Sequence, residues 1–231
     1  MFIKEFNKLT VPHIALVVSD RESNASIQSC RPDLLEIRVD QFRKLTLQYL
    51  QDNLKKRHQT RLPLILTIRN QVKEGGQRKI SDKLKQDLFE AGIDFVQAID
   101  IELSSPLLKP VVKLAKKKKK TIIISVHNFQ ITPTRPILEK ILKTAKRQGA
   151  DIVKIAAHAK SQDDFIRLLE FTIRHRKDKV ITLSMGKLGS ISRLLFPVVG
   201  SILTYSFIGK PFAPGQIPIK TLQEHFRFYY S

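Results

Sequence analysis

The chain has 231 residues, 42% hydrophobic and 27% charged, enough to bury a sizeable core and too apolar for disorder throughout. Lys and Arg number 41 against 21 Asp and Glu, a net charge of +20 whose field draws nucleic acid, anionic membranes and anionic small molecules alike. Cys30 is the one cysteine, which excludes an internal disulfide and a thiolate zinc cluster and suits a reducing, cytoplasmic compartment.

Met1–Thr10 mixes Lys4, Glu5 and Lys8 with apolar residues, so it lacks the apolar stretch of a signal peptide. Apolar, β-branched runs then predict strands at His13–Val18 and Leu34–Val39, followed by a helix over Leu45–His58. A strand at Leu64–Ile68 precedes a helix over Ser81–Ala91, with Ser81 as N-cap and Gly92 as stop. Next come a strand at Asp94–Ile101, a helix over Pro106–Lys120, a strand at Thr121–Val126 and a helix over Arg135–Gln148. A strand at Asp151–Ala156, a helix over Asp163–Arg176 and strands at Val180–Met185 and Ser201–Ser206 complete the pattern. The longest apolar stretch, Leu194–Leu203, is broken by Pro197 and Gly200 and falls short of the ~18 residues of a membrane span.

Eight strand–helix alternations predict a (β/α)8 TIM barrel, an α/β fold with residues 1–231 as a single domain. The competing architecture, an open doubly wound sheet, usually has a glycine-rich turn after its first strand, and Val18-Ser19-Asp20-Arg21 is not one. The Lys116–Lys120 run reads as a solvated helix end rather than a nucleic-acid patch, since no aromatic residues interleave with it.

Ionisable residues inside apolar strands carry the functional signal. Strand side chains alternate, so Glu36, Arg38 and Asp40 share a face with Leu34, opposite Leu35, Ile37 and Val39. Both faces of a barrel strand are covered, so these groups either form a structural network or bind something. Arg69 stands at the end of the third strand, where a barrel builds its active site, followed by Lys73-Glu74-Gly75-Gly76. Ser125 and His127 share a face at the end of the fifth strand. Taken alone, Arg69 reads equally well as a surface residue, and a lone histidine such as His127 is more often structural than catalytic, although its place at a strand exit favours catalysis.

Lys154 is the sharpest signal. It interrupts Asp151-Ile152-Val153-Lys154-Ile155-Ala156-Ala157, and buried lysines are rare. Burial, with cations such as Arg38 or Arg69 nearby, penalises its ammonium form. Lowering its pKa from ~10.4 to ~7–8 takes about 4 kcal/mol, and the free amine then attacks carbonyls to give a Schiff base. The alternative is a lysine salt-bridged to a neighbour such as Glu102. Arg193 lies near the seventh strand's exit, and Pro211–Gln216 forms a stiff Pro/Gly loop suited to a lid. No metal-binding or Walker A motif occurs, so neither metal nor cofactor is expected.

Together, Glu36–Asp40, Thr67–Arg69 with Glu74-Gly75-Gly76, Ser125–Phe129, Ala150–Ala156, Ser184–Gly186, Ser192-Arg193, Gly200-Ser201 and Ala213–Gln216 resemble, in order, type I 3-dehydroquinate dehydratase. The resemblance implies a homodimeric barrel of the shikimate pathway that converts 3-dehydroquinate to 3-dehydroshikimate, with no nucleic-acid or membrane partner. It implies that Lys154 forms the imine with the C3 carbonyl and that His127 takes the C2 proton and assists departure of the C1 hydroxyl. Glu74 would orient His127; Glu36, Arg38 and Arg69 would contact the ring hydroxyls; Arg193 and Gln216 would clamp the carboxylate. Two departures stand out: Phe212 replaces a lid serine, and the Arg69-to-Glu74 spacing is one residue longer than in familiar members. A Schiff-base aldolase and a non-enzymatic nucleic-acid binder are the alternatives, separable by turnover on sugar phosphates and by salt-steep binding.

Overall fold

The computed structural model describes residues 12–70, 74–76 and 78–230. The reading of Met1–Thr10 and the mention of Lys73 therefore lie outside the described residues. Strands β1 (Ile14–Val18), β2 (Leu34–Arg38), β3 (Leu64–Thr67), β4 (Ala98–Glu102), β5 (Thr121–Asn128), β6 (Ile152–His158), β7 (Val180–Met185) and β8 (Thr204–Phe207) pair in parallel, β1 joining β2 to β8. A two-residue strand β9 (Ile217–Pro218) adds to β8.

The sheet curls into a (β/α)8 barrel. Its closure between β7 and β8 is slight: one parallel bridge, Val180 to Ser201, with Ile202 N–H donating to Val180 O at 3.0 Å and Thr182 N–H to Ser201 Oγ at 3.0 Å. Helices α1 (Asn24–Cys30), α2 (Leu47–His58), α3 (Asp82–Gly92), α4 (Leu108–Lys117), α5 (Arg135–Arg147), α6 (Gln162–Arg174), α7 (Ser192–Val199) and α8 (Ile219–Tyr230) follow strands in turn.

Local chemistry sets the helix starts. Ser23, Thr46, Ser81 and Ser161 cap α1, α2, α3 and α6 by accepting the backbone N–H three residues on. Basic residues close α2, α4, α5 and α6, where the helix dipole favours them. All these C-terminal turns lead into strand starts, so this charge lies at the end of the barrel opposite the strand exits.

Three expectations change. The fourth strand begins at Ala98 rather than Asp94, because Ile93–Phe95 continues α3 as a 3-10 turn. Ser201 supplies the closing bridge and not a strand, which starts at Thr204. Helices α1, α7 and α8, implied by the barrel, were not located in the sequence; α7 forms despite Pro197.

Alternation sorts the core into two. Leu35, Ile37, Leu66, Ile99, Ile124, Val153 and Ile155 face the helices. Leu34, Ile65, Ala98, Ile123, Ile152, Ile181 and Leu203 fill the barrel's floor. One layer higher, on the same inward face, β2 to β6 carry Glu36, Thr67, Asp100, Ser125 and Lys154, all buried. Completing that layer are Leu183 and Tyr205 from β7 and β8, with Val17 from β1. The barrel is thus apolar at its base and polar along one arc above it.

Candidate active site

The polar arc opens at the strand exits into a pocket of about 500 Å³, open solvent included, lined by Glu36, Arg38, Arg69, Glu74, His127, Lys154, Arg193, Tyr205, Phe212 and Gln216 among others. The structure therefore brings together all eight residues singled out from the sequence.

Lys154 is 3% exposed. Its Nζ donates to Glu36 Oε1 at 3.0 Å and to Asp100 Oδ2 at 3.2 Å, and sits 4.0 Å from the centroid of the Tyr205 ring. Its nearest partners are carboxylates rather than the cations expected. Glu102, offered as its partner, is engaged elsewhere: Oε2 accepts from Lys85 Nζ at 2.7 Å, and Oε1 accepts from the Asn70 backbone and lies 3.8 Å from Arg69.

Asp100 organises the arc and was not singled out from the sequence. It accepts from Arg69 Nη2 at 2.9 Å, Ser125 Oγ at 2.6 Å and Lys154. Burial alone would raise its pKa, but Arg69 and Lys154 outweigh that and hold the carboxyl well below the usual range. Arg69 also donates to Ser125 Oγ at 2.8 Å, so its guanidinium braces β3, β4 and β5 beneath the pocket.

Glu36 and Arg38 do not pair with each other. Glu36 accepts from Thr67 and Lys154; Arg38 makes a two-pronged contact to Asp40, both at 2.9 Å, and donates to Gly75 O. That last bond ties the start of the Glu74 loop to β2. Gly75 has φ +83, and a Cβ there would lie 2.8 Å from the Phe129 ring, so glycine is required.

Glu74 is aimed at His127 despite the longer spacing. Its Oε2 lies 3.2 Å from His127 N and 3.4 Å from Nδ1, while Oε1 accepts from Ser104 Oγ at 2.5 Å. Burial raises the Glu74 carboxyl above its ordinary pKa. Burial first, then Arg69 and Lys154, push His127 well below 6.5, so its imidazole is neutral and able to accept a proton at pH 7.

Arg193 is different in kind. It is 1% exposed, and its Nε and Nη1 have no hydrogen-bond partner among the described residues. Desolvation lowers its pKa to about 10, which leaves it cationic at pH 7. A buried, unpaired guanidinium is a demand for an anion.

The Pro/Gly loop lies against β7. Gly186 N donates to Pro214 O at 3.4 Å, and Gln216 Oε1 accepts from the backbones of Phe212 and Ala213 at 2.6 and 3.2 Å. Phe212, the departure from the family's lid serine, packs its ring on the barrel's inner core. Among the described residues no cluster of His, Cys, Asp and Glu is arranged to hold a metal, and no helix is long and apolar enough to cross a membrane.

The family described as type I 3-dehydroquinase matches residues 13–231. The chain belongs to the type I 3-dehydroquinase family. Its sequence is 38% identical over 221 residues to the 3-dehydroquinate dehydratase of Aquifex aeolicus, covering 94% of this chain and 98% of that one. It is 37% identical over 223 residues to that of Thermodesulfovibrio yellowstonii, covering 94% and 95%. The crystal structure of the Aquifex aeolicus dehydratase superposes with a TM-score of 0.83 over 95% of this chain and 99% of that one. A Clostridium difficile type I 3-dehydroquinate dehydratase, solved with covalent modified comenic acid, superposes with a TM-score of 0.85 at 30% identity over 95% and 92%. As a type I 3-dehydroquinase the chain is an enzyme, a hydro-lyase.

Proposed function

We propose that this 3-dehydroquinase removes water from 3-dehydroquinate to give 3-dehydroshikimate through a Schiff base on Lys154. One observation carries the reading: a buried lysine amine, a neutral imidazole and an unpaired guanidinium line a single pocket. The covalent ligand of the Clostridium difficile relative supports it.

The chemistry follows from the positions. Arg193 takes the substrate carboxylate in a charge-assisted pair and fixes the ring in the pocket. Lys154 gives up a proton and its amine attacks the C3 ketone; the carbonyl oxygen leaves as water and a protonated imine remains. That imine draws electrons more strongly than a ketone, so the C2 proton becomes more acidic. His127, neutral and held by Glu74, takes it, and the resulting imidazolium returns it to the departing C1 hydroxyl. Hydrolysis of the imine then frees the product and the lysine.

Glu36, Arg38 and Arg69 line the pocket as hydroxyl contacts, with Arg69 chiefly bracing Asp100 and Ser125. Gln216 Oε1 holds the lid turn together, and its amide is assigned beside Arg193 to the carboxylate clamp. We read the protein as a cytoplasmic, homodimeric enzyme of the shikimate pathway, with residues 1–231 as one catalytic domain that needs no cofactor. The single Cys30, buried and unpaired with another cysteine, fits a reducing compartment.

Borohydride reduction in the presence of 3-dehydroquinate, followed by mass mapping, is expected to place the reduced adduct on Lys154. Lys154→Ala should lose it. His127→Ala should still form it while turning over roughly 10²–10⁴-fold more slowly. An adduct on another residue, or none, would remove the mechanism.

A further inference from the structure

The Lys154 amine is enclosed on three sides. Glu36 Oε1 is at 3.0 Å, Asp100 Oδ2 at 3.2 Å, and the face of Tyr205 at 4.0 Å from ring centroid to Nζ. Tyr205 projects from β8 into the barrel, 2% exposed, in register with Ala15 of β1. Its hydroxyl has no hydrogen-bond partner among the described residues. Burial, with Glu36 and Asp100 close by, pushes that hydroxyl's pKa well above its ordinary value, so the ring remains a neutral phenol.

We propose that the face of the Tyr205 ring stabilises the positive charge of the protonated Lys154 imine, making it a catalytic residue of this reaction. The inference rests on the Schiff-base reading. When the lysine ammonium condenses with a ketone, a C=N bond forms and the C=O bond breaks. The carbonyl oxygen leaves as water with two of the three ammonium protons. An ammonium donates to Glu36 and Asp100 together; the imine has one N–H and donates to one of them. Its charge stays. The attraction between a cation and the face of an aromatic ring needs no proton, so it survives the step that removes two donors. The carboxylates lose a hydrogen bond at the moment the charge becomes most useful as an electron sink, and the ring loses nothing. The layer's neighbours beside Tyr205, Val17 and Leu183, are apolar and hold no further group for the charge.

The test separates ring electrostatics from packing. Phenylalanine and its mono-, di- and trifluorinated analogues, installed at position 205, keep shape while progressively draining negative charge from the ring face. Each protein is equilibrated with 3-dehydroquinate at pH 7, reduced with borohydride, and the modified fraction of Lys154 read by mass. The imine formation constant should fall stepwise with fluorination, reaching about 30-fold at the trifluorinated ring, equivalent to about 2 kcal/mol. Tyr205→Leu should fall as far. A flat series, with wild-type protein trapping normally, overturns the role of Tyr205 and leaves the Schiff base standing. Wild-type protein that traps nothing at Lys154 overturns both.

Discussion

Arg193 offers a perturbation with opposite effects on stability and function. Its guanidinium is buried, and the desolvation that lowers its pKa is the cost of keeping it charged there. A fall from an ordinary ~12.5 to about 10 corresponds to about 3 kcal/mol. Arg193→Met removes the charge and refills most of its volume with a flexible apolar chain. For a chain of this size each kcal/mol is worth about 2–4 °C, so Tm should rise, by about 6–12 °C at most. Activity should move the other way. Losing one partner of a desolvated charge pair costs about 2–5 kcal/mol, or roughly 30- to several-thousand-fold in kcat/KM. Thermal unfolding with and without 3-dehydroquinate, beside steady-state kinetics, reads both effects: the substrate should stabilise wild type far more than the variant. A variant that is no more stable than wild type, or that keeps its kcat/KM, would refute the view of Arg193 as a charge stored for an anion.

Two further expectations concern the base and the lid. His127 has a depressed pKa and, as the proposed base, would work unprotonated, so activity should persist as pH falls from 8 through 6.5, with the acid limb of kcat/KM well below 6.5; a limb centred at or above 6.5 would contradict the environment described. Gly215 has φ +78 and would carry a Cβ 2.5 Å from Gly186 O, so Gly215→Ala should displace the loop, at a backbone cost of about 1–2 kcal/mol. KM should rise about tenfold while borohydride still marks Lys154, and an unchanged KM would show that the loop's seat on β7 is immaterial.

The alternation of strand side chains made much of this legible. Glu36 and Arg38 share a face in the sequence pattern and reach one pocket in the fold, because both faces of β2 are covered and the inward one has few apolar partners. Lys154 was visible for the same reason. Asp100 and Glu102 show the same signature in Ala98-Ile99-Asp100-Ile101-Glu102, but placing that strand's start at Asp94 blurred it. Their partners are set by the barrel's stagger, which chain order does not reveal: Asp100 meets Lys154, whereas Glu102 meets Lys85 of α3. Tyr205 was hidden because an aromatic residue in a strand reads as packing, and its contact with Lys154 exists only when the ring of strands closes. Helix α1 was too short, at Asn24–Cys30, to show a period, and α7 was masked by Pro197.

The single bridge between β7 and β8 makes the barrel a split ring, and a split ring yields at its gap. Glu36, Asp100, His127 and Lys154 all stand on the continuous arc from β2 to β6, joined by unbroken ladders. Arg193 and Gln216 lie on the connections around the gap, after β7 and after β8. On the proposed mechanism, widening there would loosen the grip on the carboxylate while leaving the amine and the imidazole in their relative places, so substrate exchange and proton transfer would draw on separate parts of one frame.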